Sequence, residues 1–428
     1  MSITSTTSLD FLEKTALVTP MYQRMKQDGE EGIQSTVDNL EGLAERGFNV
    51  YLAEDGSKDG SQEWLANYVQ RAKSKINLIL RPENGQKVGA IRDAVAALPK
   101  NIEYVVLTDD DTKILNPEGL EKTIAMLEEQ GHAGSALKVV PSKVRKADFN
   151  TGHRIKDGLS YLRAKFLNVL QDVDYSQSRV WAAYTVSPKL GVDAKSSKIR
   201  CIAGAGGIWK RDILEKALQS HSGRHNGDDM ELTAIIMDQG NSVTYTDDVT
   251  FETETPKTYS QLLSQRKRWE LGALETFAKE NRFYLREMKD WLVGTIKHPR
   301  KNFGKHRLAL TTLYEWSVWA SVPFVLYSTA DAIKSGDETF MKNYYLFDTA
   351  YNGIFLGLAI KQKEVRSAKQ ALAVLPAMMA YRAFVTFPTK TSAIAKFVKN
   401  GISARRKAKA EQELSVPAVL SSSLMLKK

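Results

Sequence analysis

The sequence predicts an α/β fold, a mainly parallel sheet with helices on both faces, followed by a helical C-terminal region. Three observations predict it. Short apolar runs alternate with helical stretches from Ala16 to Leu107. Polar or glycine-containing turns fall at the ends of those runs, and beyond Thr258 the chain becomes helix-forming, basic and aromatic.

The first strand is Ala16-Leu17-Val18, followed by a helix over Ile33 to Arg46. Asn49-Val50-Tyr51-Leu52 and Ser61 to Ala72 form the second strand and helix, Asn77-Leu78-Ile79-Leu80 and Val88 to Leu98 the third pair, and Tyr104-Val105-Val106-Leu107 the fourth strand. Runs this apolar suit strands buried on both faces. In such sheets ligands bind at the carboxyl ends of strands. Those ends carry Thr19-Pro20, Glu54-Asp55-Gly56-Ser57, Asn84-Gly85 with Lys87, and Asp109-Asp110-Asp111.

The aspartate triplet stands out because clustered like charges raise each other's pKa. A divalent cation would compensate them, since Mg²⁺ and Mn²⁺ take carboxylate oxygens. An acidic turn that caps the following helix is the ordinary alternative. If the chain is extended here, two-residue periodicity puts Asp109 and Asp111 on one face and turns Asp110 away.

Ile114 to Lys198 is mixed and charged, with helical stretches at Leu120 to Gln130 and Gly158 to Leu170. Gly204-Ala205-Gly206-Gly207 then permits close backbone approach to a ligand, or simply a tight turn before a helix over Ile213 to Leu218. Asn226-Gly227-Asp228-Asp229 opens another helix, with Asp228 or Asp229 as its N-cap. Val243 to Thr246 is a short strand and Tyr259 to Lys279 a helix containing Gln265-Arg266-Lys267-Arg268-Trp269.

From Arg286 to Arg307 basic residues outnumber acidic ones, the pattern of a surface lying on anionic lipid or nucleic acid. Apolar stretches follow at Leu308 to Ala330, Tyr344 to Ile360 and Ala371 to Pro388, each interrupted by a charge: Glu315, Asp348 and Arg382. One centred charge costs about 2.5 to 3.5 kcal/mol on insertion scales, which the apolar residues barely offset. Lys361, Lys363, Arg366 and Lys369 lie between the second and third stretches, so the positive-inside rule favours two weak spans or a membrane-dipping hairpin, with the third stretch interfacial. A soluble helical cap is the alternative. Residues 1–280 are expected as the catalytic domain, 281–403 as basic amphipathic and weakly transmembrane or interfacial helices, and 404–428 as a flexible basic tail.

The chain has 428 residues and a formal charge of +10, which suits an anionic partner without choosing one. Cys201 is the only cysteine, which excludes an intrachain disulfide and a cysteine-rich zinc site and makes a reducing, cytosol-facing location the default. Met1 to Lys14 lacks a basic region leading into an apolar one, so neither a signal peptide nor a leading anchor is expected from it.

The order of these motifs resembles the family 2 glycosyltransferases of GT-A fold, in the membrane-associated branch with cellulose, chitin and hyaluronan synthases, over about Ala16 to Phe277. Leu17-Val18-Thr19-Pro20 with Tyr22 resembles the opening nucleotide-binding strand, Glu54 to Ser61 the Asp-Asp-Gly-Ser turn, and Asn84 to Ala90 the Asn-x-Gly-Lys-x-Gly stretch. Asp109-x-Asp111 stands where that family has its metal-binding Asp-x-Asp. Gly204 to Arg211, with Gly206, resembles the acceptor-side loop, Gly227-Asp228-Asp229 the acidic pair holding the catalytic base, and Gln265-x-x-Arg268-Trp269 the Gln-x-x-Arg-Trp box.

The resemblance implies an inverting, metal-dependent transfer of a sugar from a nucleotide-sugar to an acceptor hydroxyl of a glycan, polysaccharide or lipid. Asp109 and Asp111 would hold Mn²⁺ or Mg²⁺ against the pyrophosphate, with Lys87 and Arg268 as phosphate clamps. Asp55 would accept from a uracil-type imide or a ribose hydroxyl, which favours a UDP-sugar. Asp229 would deprotonate the acceptor. Trp269 would stack on an acceptor ring, or anchor its helix at a membrane interface.

Glu54 replaces the first aspartate of its pair, and the C-terminal stretches are short and charge-interrupted beside those of channel-forming synthases. Addition of one or a few sugars is therefore at least as compatible as synthesis of a long polymer. A membrane-associated enzyme with its catalytic domain facing the cytoplasm is the expectation, and a soluble cytoplasmic one the alternative. Three further readings remain: a soluble glycosyltransferase acting on nucleic acid, a metal-dependent phosphoryl-transfer enzyme or nuclease using the same aspartates, and a non-catalytic basic adaptor bound to membrane or nucleic acid through Arg286 to Arg307.

Overall fold

A computed structural model describes residues 11–149, 153–188, 192–223, 226–297, 307–337, 339–361, 369, 372 and 381–415. The predicted half-sheet is there. β1 (Thr15–Met21), β2 (Asn49–Glu54), β3 (Asn77–Leu80) and β4 (Tyr104–Leu107) alternate with α1 (Arg24–Glu45), α2 (Ser61–Ala72) and α3 (Gln86–Ala96). All three pairings within this half are parallel.

The second half corrects the expectation of a mainly parallel sheet. After β5 (Thr112–Ile114) and α4 (Gly119–Gln130) come β6 (Gly134–Pro141), β7 (Gly207–Lys210) and β8 (Val243–Thr253). They extend the sheet to eight strands in the order β3-β2-β1-β4-β7-β6-β8-β5. β7 runs antiparallel to both β4 and β6, and β5 antiparallel to β8, whereas β6 and β8 are parallel. The sheet is mixed because β4 does not lead into another α/β unit: the chain turns sharply at the aspartate triplet into the short β5.

Both faces are covered, and alternation along each strand supplies the two cores. Val18, Val105, Leu107 and Trp209 face one layer, packed against α3, α6 (Arg211–Ser220) and α7 (Asp228–Asp238). Leu17, Val50, Tyr104, Val106 and Phe251 face the other, packed against α1 and α4. Neighbouring residues thus serve opposite cores, so these strands read as unbroken apolar runs.

α5 (Arg154–Val186) is far longer than the stretch read from sequence. α8 (Tyr259–Lys279) matches its prediction and begins in a capping box between Thr258 and Gln261. α9 (Asn281–Lys297), α10 (Arg307–Ser335), α11 (Thr339–Lys361) and α12 (Phe387–Ser415) follow. Among the described residues no helix is long and apolar enough to cross a membrane. Half of the third apolar stretch, Ala371 to Pro388, lies outside the described residues, as do the connection 362–368 and part of the basic segment, 298–306. Where a flexible tail from 404 is expected, α12 continues to Ser415, and 416–428 lie outside the described residues.

The charge that interrupts the first apolar stretch has a structural partner. Glu315 in α10 pairs with Arg200, and Lys390 of α12 lies 2.7 Å from Glu270 of α8 and 3.9 Å from Glu315. Glu315 therefore ties α10 to the segment that leads into β7.

Candidate active site

Every strand end named from sequence carries a side chain fixed by a neighbour. The Thr19 hydroxyl lies 3.3 Å from that of Thr108, joining the ends of β1 and β4. Tyr22 is exposed beside them. After β2, Glu54 is fully buried and accepts from the backbone N–H groups of Gly56 and Ser57, both at 3.1 Å. Gly56 has a φ of 71°, and a Cβ there would collide with the backbone of Glu83 and Asn84, so the turn requires glycine.

Asp55 is buried, pairs with Arg81, and accepts from the Gly85 N–H at 2.9 Å. Burial raises its pKa, opposed by those two partners. Arg81 also reaches Asp93 at 2.5 Å and so locks the 81–85 loop onto the end of β2. Sequence reading passed over Arg81; its spacing from Asp55 carries no recognisable signal.

Lys87, on the first turn of α3, is ion-paired with Asp109. Burial alone would lower its pKa, but Asp109, Asp228 and Asp229 outweigh burial and hold the ammonium firmly charged. Asp109 to Thr112 is a tight turn closed by Thr112 N–H to Asp109 O at 3.1 Å. The extended chain assumed for the triplet is thus corrected, and Asp110 is not directed away by strand alternation. Burial and Asp111 push its pKa up to about 7, with Arg24 pulling it back. Asp111 is pushed up to about 6 by burial and by Asp109, although it accepts from the hydroxyls of Thr253 at 3.0 Å and Thr112 at 3.1 Å. Arg24, nearly buried and paired with Asp28 at 2.8 Å, is the nearest compensating cation on this side and was not recognised from sequence.

The pair on α7 lies across from Lys87. Gly227 is the N-cap residue and Asp228 and Asp229 occupy the first turn, which corrects the assignment of either aspartate as the cap. Asp229 accepts from its neighbour Met230 N–H at 2.8 Å and from Gly204 N–H at 3.3 Å. Burial and then Asp228 raise its pKa, while Lys87 lowers it. Thr233 donates to Asp229 O at 2.7 Å and accepts from Ile202 N–H at 3.0 Å, binding the glycine loop to α7. A Cβ at Gly204 would stand 2.5 Å from Lys87 Nζ, so the smallest residue keeps that ammonium in place. Gly206 holds the loop to β6 by accepting from Leu137 N–H at 3.0 Å. Lys87, Gly204, Asp228 and Asp229 line one cleft.

α8 brings the aromatic box alongside. Trp269 is 42% exposed, with one face covered by the Arg266 guanidinium at 4.2 Å and Tyr175 of α5 at 6.2 Å. Arg266 is held by Asp174 at 2.8 Å and donates to Tyr381 OH at 3.0 Å. Arg268 is exposed, and Gln265 is half-buried with no hydrogen-bond partner for its Oε1 among the described residues. Tyr175 and Arg266 escaped sequence reading because their partners come from three separate helical segments. A wider groove over α1, lined by Glu30, Asp38 and Trp64 among others, holds no comparable convergence.

The chemistry of the donor set suits a divalent cation that completes its shell with substrate oxygens. Among the described residues no cluster of three metal-ligating side chains occurs, so Asp109 and Asp111 would supply only part of a shell. That is the way Mg²⁺ is held with substrate phosphates.

Comparison with known proteins shows what this arrangement is similar to. Residues 16–216 match Glycosyl transferase family 2. The chain is similar to hyaluronan synthase 3 of Gallus gallus, at 26% identity over 294 residues, covering 66% of this chain and 47% of that one. Hyaluronan synthase 3 of Homo sapiens is 24% identical over 303 residues, covering 68% and 46%. The chain therefore spans less than half the length of these relatives. Among solved structures, a mannosyltransferase from Pyrobaculum calidifontis in complex with GDP-Man and Mn²⁺ aligns over 90% of this chain and 87% of its own at 16% identity, with a TM-score of 0.48. The matched residues run from β1 through most of α6 and include Asp55, Lys87, Asp109 and Gly204.

Proposed function

We propose that this protein is an inverting, metal-dependent glycosyltransferase that moves a sugar from a nucleotide-sugar, by preference a UDP-sugar, to a hydroxyl of a glycan, polysaccharide or lipid. The observation that carries the reading is the convergence of Lys87, Gly204, Asp228 and Asp229 at one cleft, with Asp109 paired to Lys87 beside it, from four separate segments.

The donor's nucleotide would lie over the ends of β1 and β2, near Thr19, Tyr22 and Asp55. Asp109 and Asp111 would hold Mn²⁺ or Mg²⁺, which when bound supplies Lewis-acid stabilisation of the departing diphosphate. Lys87 stands beside Asp109 and, with Arg268 brought inward, would neutralise phosphate charge. Asp229 is held by two N–H donors, and its raised pKa makes it a stronger base than an ordinary aspartate. It would take the proton from the acceptor hydroxyl as that oxygen attacks the anomeric carbon from the face opposite the diphosphate, which inverts the centre. Trp269, with Gln265 on the same helix, would support the acceptor ring on its open face.

We place the enzyme on an anionic membrane surface with its catalytic domain facing the cytoplasm. The exposed apolar residues Leu285, Leu292 and Ile296 of α9, beside Arg282 and Lys289, support this placement. The test is a donor screen. The protein is incubated with Mn²⁺ or Mg²⁺ and a panel of sugar nucleotides, with and without lipid and glycan acceptors, and nucleoside diphosphate release is measured. One donor should stand out and require the metal; nuclease activity without use of any donor would overturn the reading.

A further inference from the structure

α5 divides into two parts with different surroundings. Its second part enters a core in which Leu167, Leu170 and Val173 pack with Leu262 of α8, Leu356 of α11 and Tyr381. Its first part presents an apolar stripe to solvent: Ile155 is 83% exposed, Leu159 64%, Leu162 60% and Phe166 47%. The spacing i, i+4, i+7, i+11 puts all four on one narrow face. Lys156 and Arg163 flank that face roughly a quarter-turn to one side and Lys165 a similar angle to the other. Ala164, on the opposite face, is fully buried.

Folding does not call for four large apolar side chains in water on one helix face; isolated exposed leucines are ordinary, a contiguous stripe is not. Cations on both flanks define what fits against it. Lys and Arg stems lie along apolar surface while their charged ends reach outward, the pattern of a helix lying in the plane of a lipid interface. The stripe also continues from a core shared with α11, whose Leu346, Phe347 and Ile354 are each more than 60% exposed.

We propose that the first half of α5 is a membrane-docking helix, which inserts Ile155, Leu159, Leu162 and Phe166 between anionic lipids while Lys156, Arg163 and Lys165 contact their headgroups. This deepens the membrane placement above and rests on it. The same helix carries Asp174 and Tyr175, the partners of Arg266 and Trp269, so docking would set the acceptor side of the cleft close to the lipid surface.

The experiment uses the full chain with vesicles of phosphatidylcholine alone and of phosphatidylcholine mixed with an equal amount of phosphatidylserine. The wild type should sediment with the anionic vesicles, and high salt should weaken it. Leu159→Asp with Leu162→Asp should weaken that partition at least tenfold, and Lys156→Glu with Lys165→Glu should remove the preference for phosphatidylserine. Far-ultraviolet circular dichroism and thermal unfolding of each variant should match the wild type. As a measurement that needs no loss of binding, Leu162→Cys in a Cys201→Ser background carries an environment-sensitive dye, which should shift to the blue with anionic vesicles. The same dye at Glu63→Cys should not.

Wild-type binding undiminished by the α5 aspartates, or no dye shift at position 162, would overturn the docking helix while leaving the membrane placement. No wild-type binding to either vesicle would overturn both. Self-association without lipid that the α5 aspartates abolish would assign the face to a second copy and overturn the lipid proposal.

Discussion

At the scale of single residues the cleft is an electrostatic balance around one lysine. Lys87 is the cation shared by Asp109, Asp228 and Asp229. Lys87→Met removes it while keeping its length, which leaves the three carboxylates to repel one another; turnover should fall by about 10²-fold or more, and the loss should appear in kcat/KM for the donor. Asp111 and Asp110 separate differently from the way strand alternation suggested. Asp111 is oriented by Thr253 and Thr112, whereas Asp110 is anchored through its main chain, whose carbonyl accepts from Thr36 at 2.6 Å. Asp110→Ala should therefore retain much more activity than Asp111→Ala, and only the latter should weaken the Mn²⁺ dependence of diphosphate release. Equal losses would show that the metal is held by other carboxylates. The raised pKa of Asp229 carries a pH prediction: its basic form is present above that pKa and lost below it, so the acidic limb of the rate profile should lie above the ordinary aspartate range. A limb at the ordinary position would remove Asp229 from the base role.

At the scale of elements the contact that positions the proposed base, Asp229, is between two glycines. A Cβ on Gly272 of α8 would stand 2.5 Å from Gly227 N and 2.6 Å from Asn226 C, so α8 meets the Asp228-Asp229 turn backbone to backbone. Gly272 lies one helical turn beyond Trp269. Gly272→Ala should force the two apart, and because misplacement of a catalytic group by about 1 Å can cost about 10²-fold in rate, transfer should drop on that order while nucleotide affinity, measured by calorimetry, changes little. A parallel loss of nucleotide affinity would mean the whole domain has been disturbed. The same scale shows what the sequence made legible. β1, β2 and β4 stand out because each buries both faces and so reads as a continuous apolar run, while β3 at the sheet edge is half exposed; the site residues at their ends follow from the architecture. β8 was read as Val243 to Thr246 because Asp247-Asp248 breaks its apolar pattern, yet Asp248 is occupied by Lys122 and Thr246 and the strand runs on to Thr253. Arg24, Arg81, Tyr175 and Arg266 were invisible for a different reason: each is defined by partners distant in sequence, and an isolated arginine or tyrosine carries no signal of them.

At the scale of the whole molecule, helices beyond residues 16–216 close around them through partly buried charge. Arg200 leads into the glycine loop and pairs with Glu315 of α10, and Lys390 of α12 joins Glu270, the residue after Trp269. Removing one member of such a half-exposed group leaves its partner's charge less well compensated, so Glu315→Leu should destabilise the fold by about 1 kcal/mol, read as a lower urea midpoint. Arg200→Met combined with Glu315→Leu should recover part of that loss. Stability should also decline in mild acid through His132. It is buried against Ser242 at 2.9 Å, and burial followed by Lys210 lowers its pKa to about 4. The unfolded state protonates it first, at its ordinary value, so stability is full above that value and falls as pH drops toward about 4. His132→Gln should flatten that slope between urea midpoints at pH 7 and pH 5.

The claim that binds these scales together is that one cleft both holds a sugar nucleotide and activates the acceptor. With the donor that the screen selects, the decisive measurement is nucleoside diphosphate release by wild type and Asp229→Asn, beside calorimetric affinity for that diphosphate in the presence of Mn²⁺. The account predicts unchanged affinity and a fall in release by at least about 10²-fold for Asp229→Asn, within the range of a lost general base. Release by Asp229→Asn at the wild-type rate, with affinity intact, would contradict it.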